Sequence, residues 1–277
     1  MRRISFVLPA IALIASCAAP RQVPEPLHGG LKPTAVNIST TRHGPEKGHL
    51  LIIGGGLVPD EIWDTFAELA GGVGAKVVVI TNATGGKGDY DGPAFEQIAR
   101  RVGADNVVEM HLEDVLEAND PALTAPLEQA GGVFFTGGRQ WRIAEVYLNT
   151  RAHILLNALL ARGGVIAGTS AGASIQGSFL WRGDTRDARY TVGDHTQGLG
   201  FMKLTAIDQH LTARGRIGDM QAFADAAPEY LCMAIDESTA ALVEGDHIRV
   251  LGEARIAIYK TGSKAPLWFA SGDSLDL

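Results

Sequence analysis

The sequence predicts an α/β protein built around a mainly parallel β-sheet. Short runs of β-branched and other apolar residues alternate with stretches of helical periodicity, a pattern that favours strands joined by right-handed helical crossovers. Glycine and polar residues follow several of these runs, at the strand ends where open parallel sheets bind ligands. The composition, with 46% hydrophobic and 20% charged residues among 277, is typical of a globular protein with a full core.

The predicted elements follow one another from residue 50. They are strand 50–53, helix 59–70, strand 76–80, helix 93–102, strand 106–110, a helix that begins at Pro121 after the cap Asp120, a strand from Gly132, helices 140–148 and 151–161, a strand from Val165, and strands 201–207 and 233–235. Residues 240–243, 247–251 and 255–259 are expected to form antiparallel strands that close one edge of the sheet. Residues 181–200 lack periodicity and mix both charges with glycine, and such long irregular segments are usually functional, so a lid is predicted there.

The first residues have the features of a secretory signal. Met1, Arg2 and Arg3 precede an apolar stretch at 4–15 that is too short to span a bilayer. Residues 13–17 resemble a bacterial lipobox, which makes Cys17 the expected lipidated residue; the alternative is an ordinary signal peptide with an incidental cysteine. We therefore predict a signal peptide at 1–16, a lipid-anchor tether at 17–47 and a catalytic domain at 48–277. The protein is then expected outside the cytoplasm, attached to a bacterial membrane in the periplasm or at the cell surface.

The strand from Val165 ends abruptly at Gly-x-Ser-x-Gly, with Ser170 at its centre. This pattern is typical of a nucleophile elbow, because Gly168 and Gly172 lack a Cβ and permit a sharp strand-to-helix turn. The N–H of Ala171, at the start of the next helix, is then expected to face a developing oxyanion. The pattern also occurs in ordinary α/β turns, so catalysis depends on a base and an acid elsewhere in the chain.

Two histidines are serious candidates for that base. His210 follows the strand at 201–207 within a polar cluster, and Glu237 follows the strand at 233–235. The alternative pairs His247 with Asp208 or Asp219, which gives the Ser, Asp, His order of an α/β-hydrolase esterase. Spacing alone does not choose between these two sets of residues.

Two glycine turns are expected beside the same site. The turn at 137–138 follows a strand, so Gly138 is a candidate second oxyanion donor. Three glycines at 54–56 indicate a tight turn near an active site, since they lack the spacing of a dinucleotide fingerprint and no Walker lysine follows.

Several classes of function are disfavoured by composition. The formal charge of −7 and the absence of a basic face argue against nucleic-acid binding. The histidines and cysteines show no zinc or iron spacing, and no cofactor motif is present, so neither a metal nor a cofactor is expected.

The chain resembles the cyanophycinase and peptidase E group of serine peptidases over residues 48–245. The resemblance rests on Gly-Thr-Ser-Ala-Gly-Ala at 168–173, on Asp-Gln-His at 208–210 with Arg-x-Arg at 214–216, and on residues 51–56, 133–140 and 235–240. It implies a three-layer α/β sandwich of the flavodoxin-like or class I glutamine amidotransferase-like kind. It also implies hydrolysis of peptide or isopeptide bonds at aspartyl residues, with cyanophycin-like or β-aspartyl peptides as substrates.

The resemblance also assigns roles to individual residues. Ser170 matches the nucleophile, His210 the base and Glu237 the acid, and the turn at Gly138 with Ala171 matches the oxyanion hole. The positions that match the substrate pocket are Gln140, Asp208, Gln209, Arg214 and Arg216.

This sequence departs from the group's pattern at two positions. Asp219 stands where cyanophycinases commonly carry an arginine, and Arg139 precedes the glutamine where an acidic or amide residue is more usual. A carboxylate at 219 is expected to alter the substrate preference. The alternatives to a peptidase are an esterase that uses His247 and a non-catalytic peptide-binding lipoprotein of the same fold. The oligomeric state stays open, with a homodimer as one alternative.

Overall fold

A computed structural model describes residues 43–277 of the chain. The predicted signal peptide at 1–16, Cys17 and most of the predicted tether at 17–47 lie outside these residues. His43 is buried, and its N–H and that of Gly44 donate to the Asp246 carboxylate (2.8 and 3.1 Å), so the folded domain includes residues that the sequence analysis placed in the tether. Between 43 and 277, no helix has the length and apolar character needed to cross a membrane.

Thirteen strands and eight α-helices are present in this part of the chain. The strands are β1 (His49–Ile53), β2 (Val77–Ile80), β3 (Val107–Met110), β4 (Gly132–Phe135), β5 (Val165–Thr169), β6 (Gly177–Phe179), β7 (Met202–Gln209), β8 (Leu231–Ile235), β9 (Thr239–Glu244), β10 (His247–Gly252), β11 (Arg255–Tyr259), β12 (Leu267–Ala270) and β13 (Ser274–Asp276). The helices are α1 (Asp60–Leu69), α2 (Ala94–Val102), α3 (Pro121–Thr124), α4 (Pro126–Gln129), α5 (Gln140–Tyr147), α6 (Arg151–Ala161), α7 (Ala171–Ser174) and α8 (Gln221–Ala226).

Eight strands form the first sheet, in the order β13-β10-β9-β1-β5-β4-β2-β3. The five strands from β1 to β3 in this order are parallel, as the alternation of strands and helices predicts, and β9, β10 and β13 extend one edge in antiparallel fashion. Alternate residues of each parallel strand enter different apolar clusters. One face packs on α1 and α2, and the other on α5, α6 and α7, which accounts for the continuous apolar runs of these strands.

A second sheet of five strands, in the order β12-β11-β8-β7-β6, packs next to the first. The prediction that residues 255–259 close an edge of one sheet together with 240–251 is therefore wrong, because β11 pairs with β8 of the second sheet. The chain passes from the second sheet to the first at the turn between Ile235 and Thr239. That turn carries Glu237, so the crossing between the sheets brings a carboxylate to the end of β1.

Candidate active site

Ser170 lies on a sharp turn between β5 and α7, as its glycine pattern predicts. Its backbone has φ 55° and ψ −110°, a strained conformation that is common at functional sites. The flanking glycines permit the turn: a Cβ on Gly168 would lie 2.2 Å from the Gly172 carbonyl oxygen, and one on Gly172 would lie 2.3 Å from that of Phe135. The half-buried hydroxyl is therefore held at the end of the parallel strands.

His210 and Glu237 complete a hydrogen-bonded chain with this hydroxyl. The Nε2 atom of His210 lies 2.8 Å from Ser170 Oγ, and its Nδ1 atom lies 2.5 Å from Glu237 Oε1. His210 follows β7 and Glu237 follows β8, both in the second sheet, whereas Ser170 follows β5 in the first. The three side chains thus meet between two sheets rather than at the edge of one.

The glycine turn after β1 holds all three segments together. The carbonyl oxygens of Ile53, Gly54 and Gly55 accept hydrogen bonds from the backbone N–H groups of Ser170 (3.0 Å), His210 (2.8 Å) and Ser238 (2.9 Å), respectively. Gly55 has φ 109°, and a Cβ there would lie 2.2 Å from the imidazole Cε1. Only glycine lets the main chain lie against the imidazole in this way.

The environment of His210 favours a neutral imidazole. Burial lowers the pKa of His210, the hydrogen bond that the imidazole donates to Glu237 acts in the opposite direction, and the positive charges of Arg214 and Arg216 lower the pKa further. The net result is a pKa below the ordinary value of 6.5. At neutral pH the imidazole can therefore accept a proton from Ser170, as a general base must.

We expect the pH profile of kcat/KM to reflect this shift. Activity needs the unprotonated imidazole, so the rate should rise with pH through a midpoint below about 6.5. Arg214→Gln removes a positive charge near the imidazole, and the midpoint should then move upward. Steady-state kinetics of both enzymes at about ten pH values between 4 and 8 would test the position of the midpoint and its shift in the variant. A midpoint above the ordinary histidine value would contradict this account of the site.

Two backbone N–H groups near Ser170, those of Gly138 and Ala171, are the predicted oxyanion donors. Gly137 lies against the serine, since a Cβ on it would sit 3.4 Å from Ser170 Cβ, and Gly138 follows with φ 141°. The amide N–H groups of Gly138 and Ala171 have no protein acceptor among residues 43–277. The predicted oxyanion donors are thus unpaired, as donors to a developing oxyanion must be.

A cavity of about 410 Å³, here called the arginine pocket, is lined in part by residues that follow His210 in the chain. Arg214 lies one turn after His210, with its N–H bonded to the His210 carbonyl (3.0 Å), and its guanidinium is exposed. No side-chain partner of Arg214 is present in residues 43–277. The residues that line the arginine pocket are Arg182, Asp187, Ala188, Arg189, Arg214, Arg216 and Asp219.

The other predicted pocket residues are buried behind this surface. Asp208 is 0% exposed and is bound by Arg182 and Arg216, and Gln209 accepts a hydrogen bond from Arg216 Nη1 (3.0 Å). The Nε2 group of Gln140 donates to the carbonyls of Trp181 and Arg182 (2.7 and 2.9 Å). These three residues therefore support the pocket, while Arg214 and Arg216 line it. Sequence reasoning missed Arg182, which lies in a segment without periodicity.

The alternative base lies elsewhere. His247 is the first residue of β10 and pairs with Glu244, and β10 runs beside β9 so that His247 lies near the start of β1. Ser170 follows β5, whose last residue is aligned with Ile53 at the other end of β1. His247 contacts Asp276 (2.8 Å) at the surface, so the esterase-type triad does not form.

Residues 187–189, within the predicted lid, form part of one wall of the arginine pocket. The buried Asp184 carboxylate accepts hydrogen bonds from the N–H and the guanidinium of Arg186, and the Asp184 carbonyl accepts one from Arg139. Arg139, one of the two departures noted in the sequence, thus ties this wall to the oxyanion turn.

Within 43–277, no three histidine, cysteine or acidic side chains are grouped so as to hold a metal ion.

The family model described as "Peptidase family S51" matches residues 50–251. The chain belongs to peptidase family S51. The match spans β1 to β10 and includes Ser170, His210 and Glu237, so this S51 member is a serine peptidase. The Ser170 hydroxyl and the His210 imidazole, which lie 2.8 Å apart, are both within the matched residues.

Relatives of this S51 peptidase include cyanophycinases. The "Cyanophycinase" of Synechococcus elongatus is 30% identical over 230 residues, which cover 80% of this chain and 71% of that protein. The "Cyanophycinase" of Trichormus variabilis is 31% identical over 217 residues, covering 76% and 72%. A crystal structure of a peptidase from an acI-B1 actinobacterium has the same fold, with a TM-score of 0.64, 19% identity, and coverage of 86% of this chain and 98% of that one.

Proposed function

We propose that this S51 peptidase is an exopeptidase that hydrolyses cyanophycin or β-aspartyl peptides through an acyl-enzyme. The observation that carries the proposal is the chain of hydrogen bonds that links Glu237, His210 and Ser170, together with the arginine pocket, whose residues Arg214 and Arg216 lie close enough to lower the pKa of His210. A nucleophile next to cationic side chains suits a substrate with a carboxylate near its scissile bond.

The proposed reaction assigns one task to each group. Ser170 Oγ attacks the scissile carbonyl carbon while its proton passes to Nε2 of His210, and Glu237 stabilises the imidazolium. The N–H groups of Gly138 and Ala171 donate to the oxyanion. Collapse of the tetrahedral intermediate breaks the C–N bond, and the imidazolium protonates the leaving amine. Water then attacks the acyl-enzyme with His210 as base and releases the second product.

The proposed specificity comes from the arginine pocket. A β-aspartyl peptide carries a free α-carboxylate, and a guanidinium can bind such a group through two parallel hydrogen bonds. Arg214 is exposed and has no salt-bridge partner among residues 43–277, whereas the exposed Arg189 pairs with Asp187 and Arg216 is buried. Both Arg214 and Arg216 follow His210 within six residues, and the N–H of Arg214 donates to the His210 carbonyl, which supports a bound carboxylate close to the reacting atoms.

The test is to incubate the soluble domain with cyanophycin, with isoaspartyl dipeptides and with α-aspartyl dipeptides, and to identify the products by mass. We expect products from the first two classes and little from the third. Labelling with a fluorophosphonate probe separates a catalytic protein from a binding protein of the same fold. Tight peptide binding without labelling of Ser170 would contradict catalysis.

We also propose that the enzyme acts outside the cytoplasm, anchored through a lipid on Cys17. The support is the sequence alone, namely the charged start, the short apolar stretch and the small residues before Cys17. Incorporation of a labelled fatty acid into the full chain, compared with its Cys17→Ser variant, is the measurement that checks this location.

A further inference from the structure

Arg182 is a buried cation at the back of the arginine pocket. Only 2% of the residue is exposed, and its backbone has φ 57°, a left-handed conformation shared with Ser170 and His210. Its Nε and Nη2 groups donate to the two carboxylate oxygens of Asp208 (2.9 and 2.8 Å), and Nη2 also donates to Asp219. One guanidinium thus joins two carboxylates from different segments, at the end of β7 and before α8.

Each of the three carboxylates that line or support the pocket is paired with an arginine, and Arg182 pairs with two of them. Asp187 pairs with Arg189 (2.7 Å), and Asp208 is shared by Arg182 and Arg216. Asp219 has Arg182 as its salt-bridge partner, and 37% of its side chain is exposed toward the pocket rim. Without Arg182, Asp219 would oppose the carboxylate of a substrate that binds Arg214. With Arg182 in place, the charge of Asp219 is offset, and Arg214 remains available to bind the substrate carboxylate.

We propose that Arg182 determines substrate specificity as a positioning residue, because it neutralises Asp219 and so keeps the arginine pocket selective for a carboxylate. The proposal rests on the proposed function, since it concerns the same pocket. It also explains how the pocket can keep a preference for a carboxylate although an aspartate stands at 219. The wall of the pocket depends on the same residue, because Nη1 of Arg182 donates to the Ala188 carbonyl (3.2 Å).

Asp219→Asn tests whether the negative charge at 219 weakens the binding of a carboxylate substrate. The substitution keeps the shape of a partly exposed side chain and removes one negative charge, so the pocket becomes more positive. We expect KM for an isoaspartyl dipeptide to fall about three- to tenfold, with a smaller change in kcat, because a charge a few ångströms away is only partly screened. The matched substrate, with a carboxamide in place of the α-carboxylate, should show no such fall. A rise in KM would mean that Asp219 binds a cationic group of the substrate, and it would overturn the proposal.

Arg182→Gln tests the same proposal by changing the other residue of the Arg182–Asp219 ion pair. It leaves Asp219 without its counter-ion, so KM for the carboxylate substrate should rise about tenfold or more while KM for the carboxamide changes little. Adding Asp219→Asn to Arg182→Gln should restore much of the lost preference for the carboxylate over the carboxamide. Circular dichroism confirms that each variant is folded. An equal loss for both substrates, with no recovery in the double variant, would show a purely structural role.

Binding measured in the Ser170→Ala background separates this proposal from the catalytic one. Calorimetry gives Kd for the isoaspartyl dipeptide and for its carboxamide without any turnover. If the wild-type enzyme fails to hydrolyse the dipeptide but the pocket prefers the carboxylate, the proposed function is wrong and the role of Arg182 stands. Equal Kd values for the two ligands would contradict the role of Arg182 even if hydrolysis occurs.

Discussion

Ser170→Ala is expected to lower the hydrolysis of isoaspartyl peptides by roughly 10⁴-fold or more. Among residues 43–277, the Ser170 hydroxyl is the group bonded to His210 Nε2 (2.8 Å) that can become the acyl carrier, and alanine removes it without adding bulk. The residue is half-buried, so the fold should tolerate the change. The residual rate is measured by mass spectrometry of the released products, with the enzyme in excess over the substrate.

His210→Ala should cause a loss of similar size, and the double variant should lose little more. The two groups work as one unit, so once either is absent the other has nothing to activate. His247→Ala is a matched control, because it removes a histidine of the same domain that contacts Asp276 at the surface. Losses that multiply in the double variant, or a large loss in the control, would contradict the assignment.

The local parts of the site could be predicted from the sequence. Gly-x-Ser-x-Gly after a buried strand specifies the turn at Ser170, because the glycines are needed for steric reasons that act within a few residues. The parallel strands β1, β2, β4 and β5 were also predictable, since their apolar runs reflect burial on both faces. The glycine turn at 54–56 was correctly expected beside the site.

The long-range parts could not be derived from local patterns. His210 and His247 both follow or begin strands, and the choice between them depends on which sheet each strand joins, a property of tertiary pairing. The resemblance to known peptidases, rather than spacing, selected His210. Arg182 gave no signal at all, because a charged residue in an irregular segment does not reveal whether it will be exposed or, as here, enclosed between Asp208 and Asp219.

Gly55→Ala is expected to lower kcat by roughly 10²-fold, although Gly55 carries no reactive group. A Cβ at this position would lie 2.2 Å from His210 Cε1 and 2.7 Å from both ring nitrogens, so the imidazole must move. A displacement near 1 Å would break the alignment of His210 Nε2 with Ser170 Oγ, which the reaction requires. Steady-state kinetics should show a fall in kcat with a smaller change in KM, since neither Gly55 nor His210 lines the arginine pocket.

Gly74→Ala separates this effect from backbone strain. Gly74 has φ 90°, similar to the 109° of Gly55, but a Cβ there meets nothing within 4 Å. Both variants should lose on the order of 1 kcal/mol of stability, because alanine is strained in this conformation. Only Gly55→Ala should lose activity. Equal kcat values in the two variants would mean that the imidazole tolerates a Cβ at its side, and that the carbonyl of Gly54, rather than the close contact at Gly55, sets the position of the base.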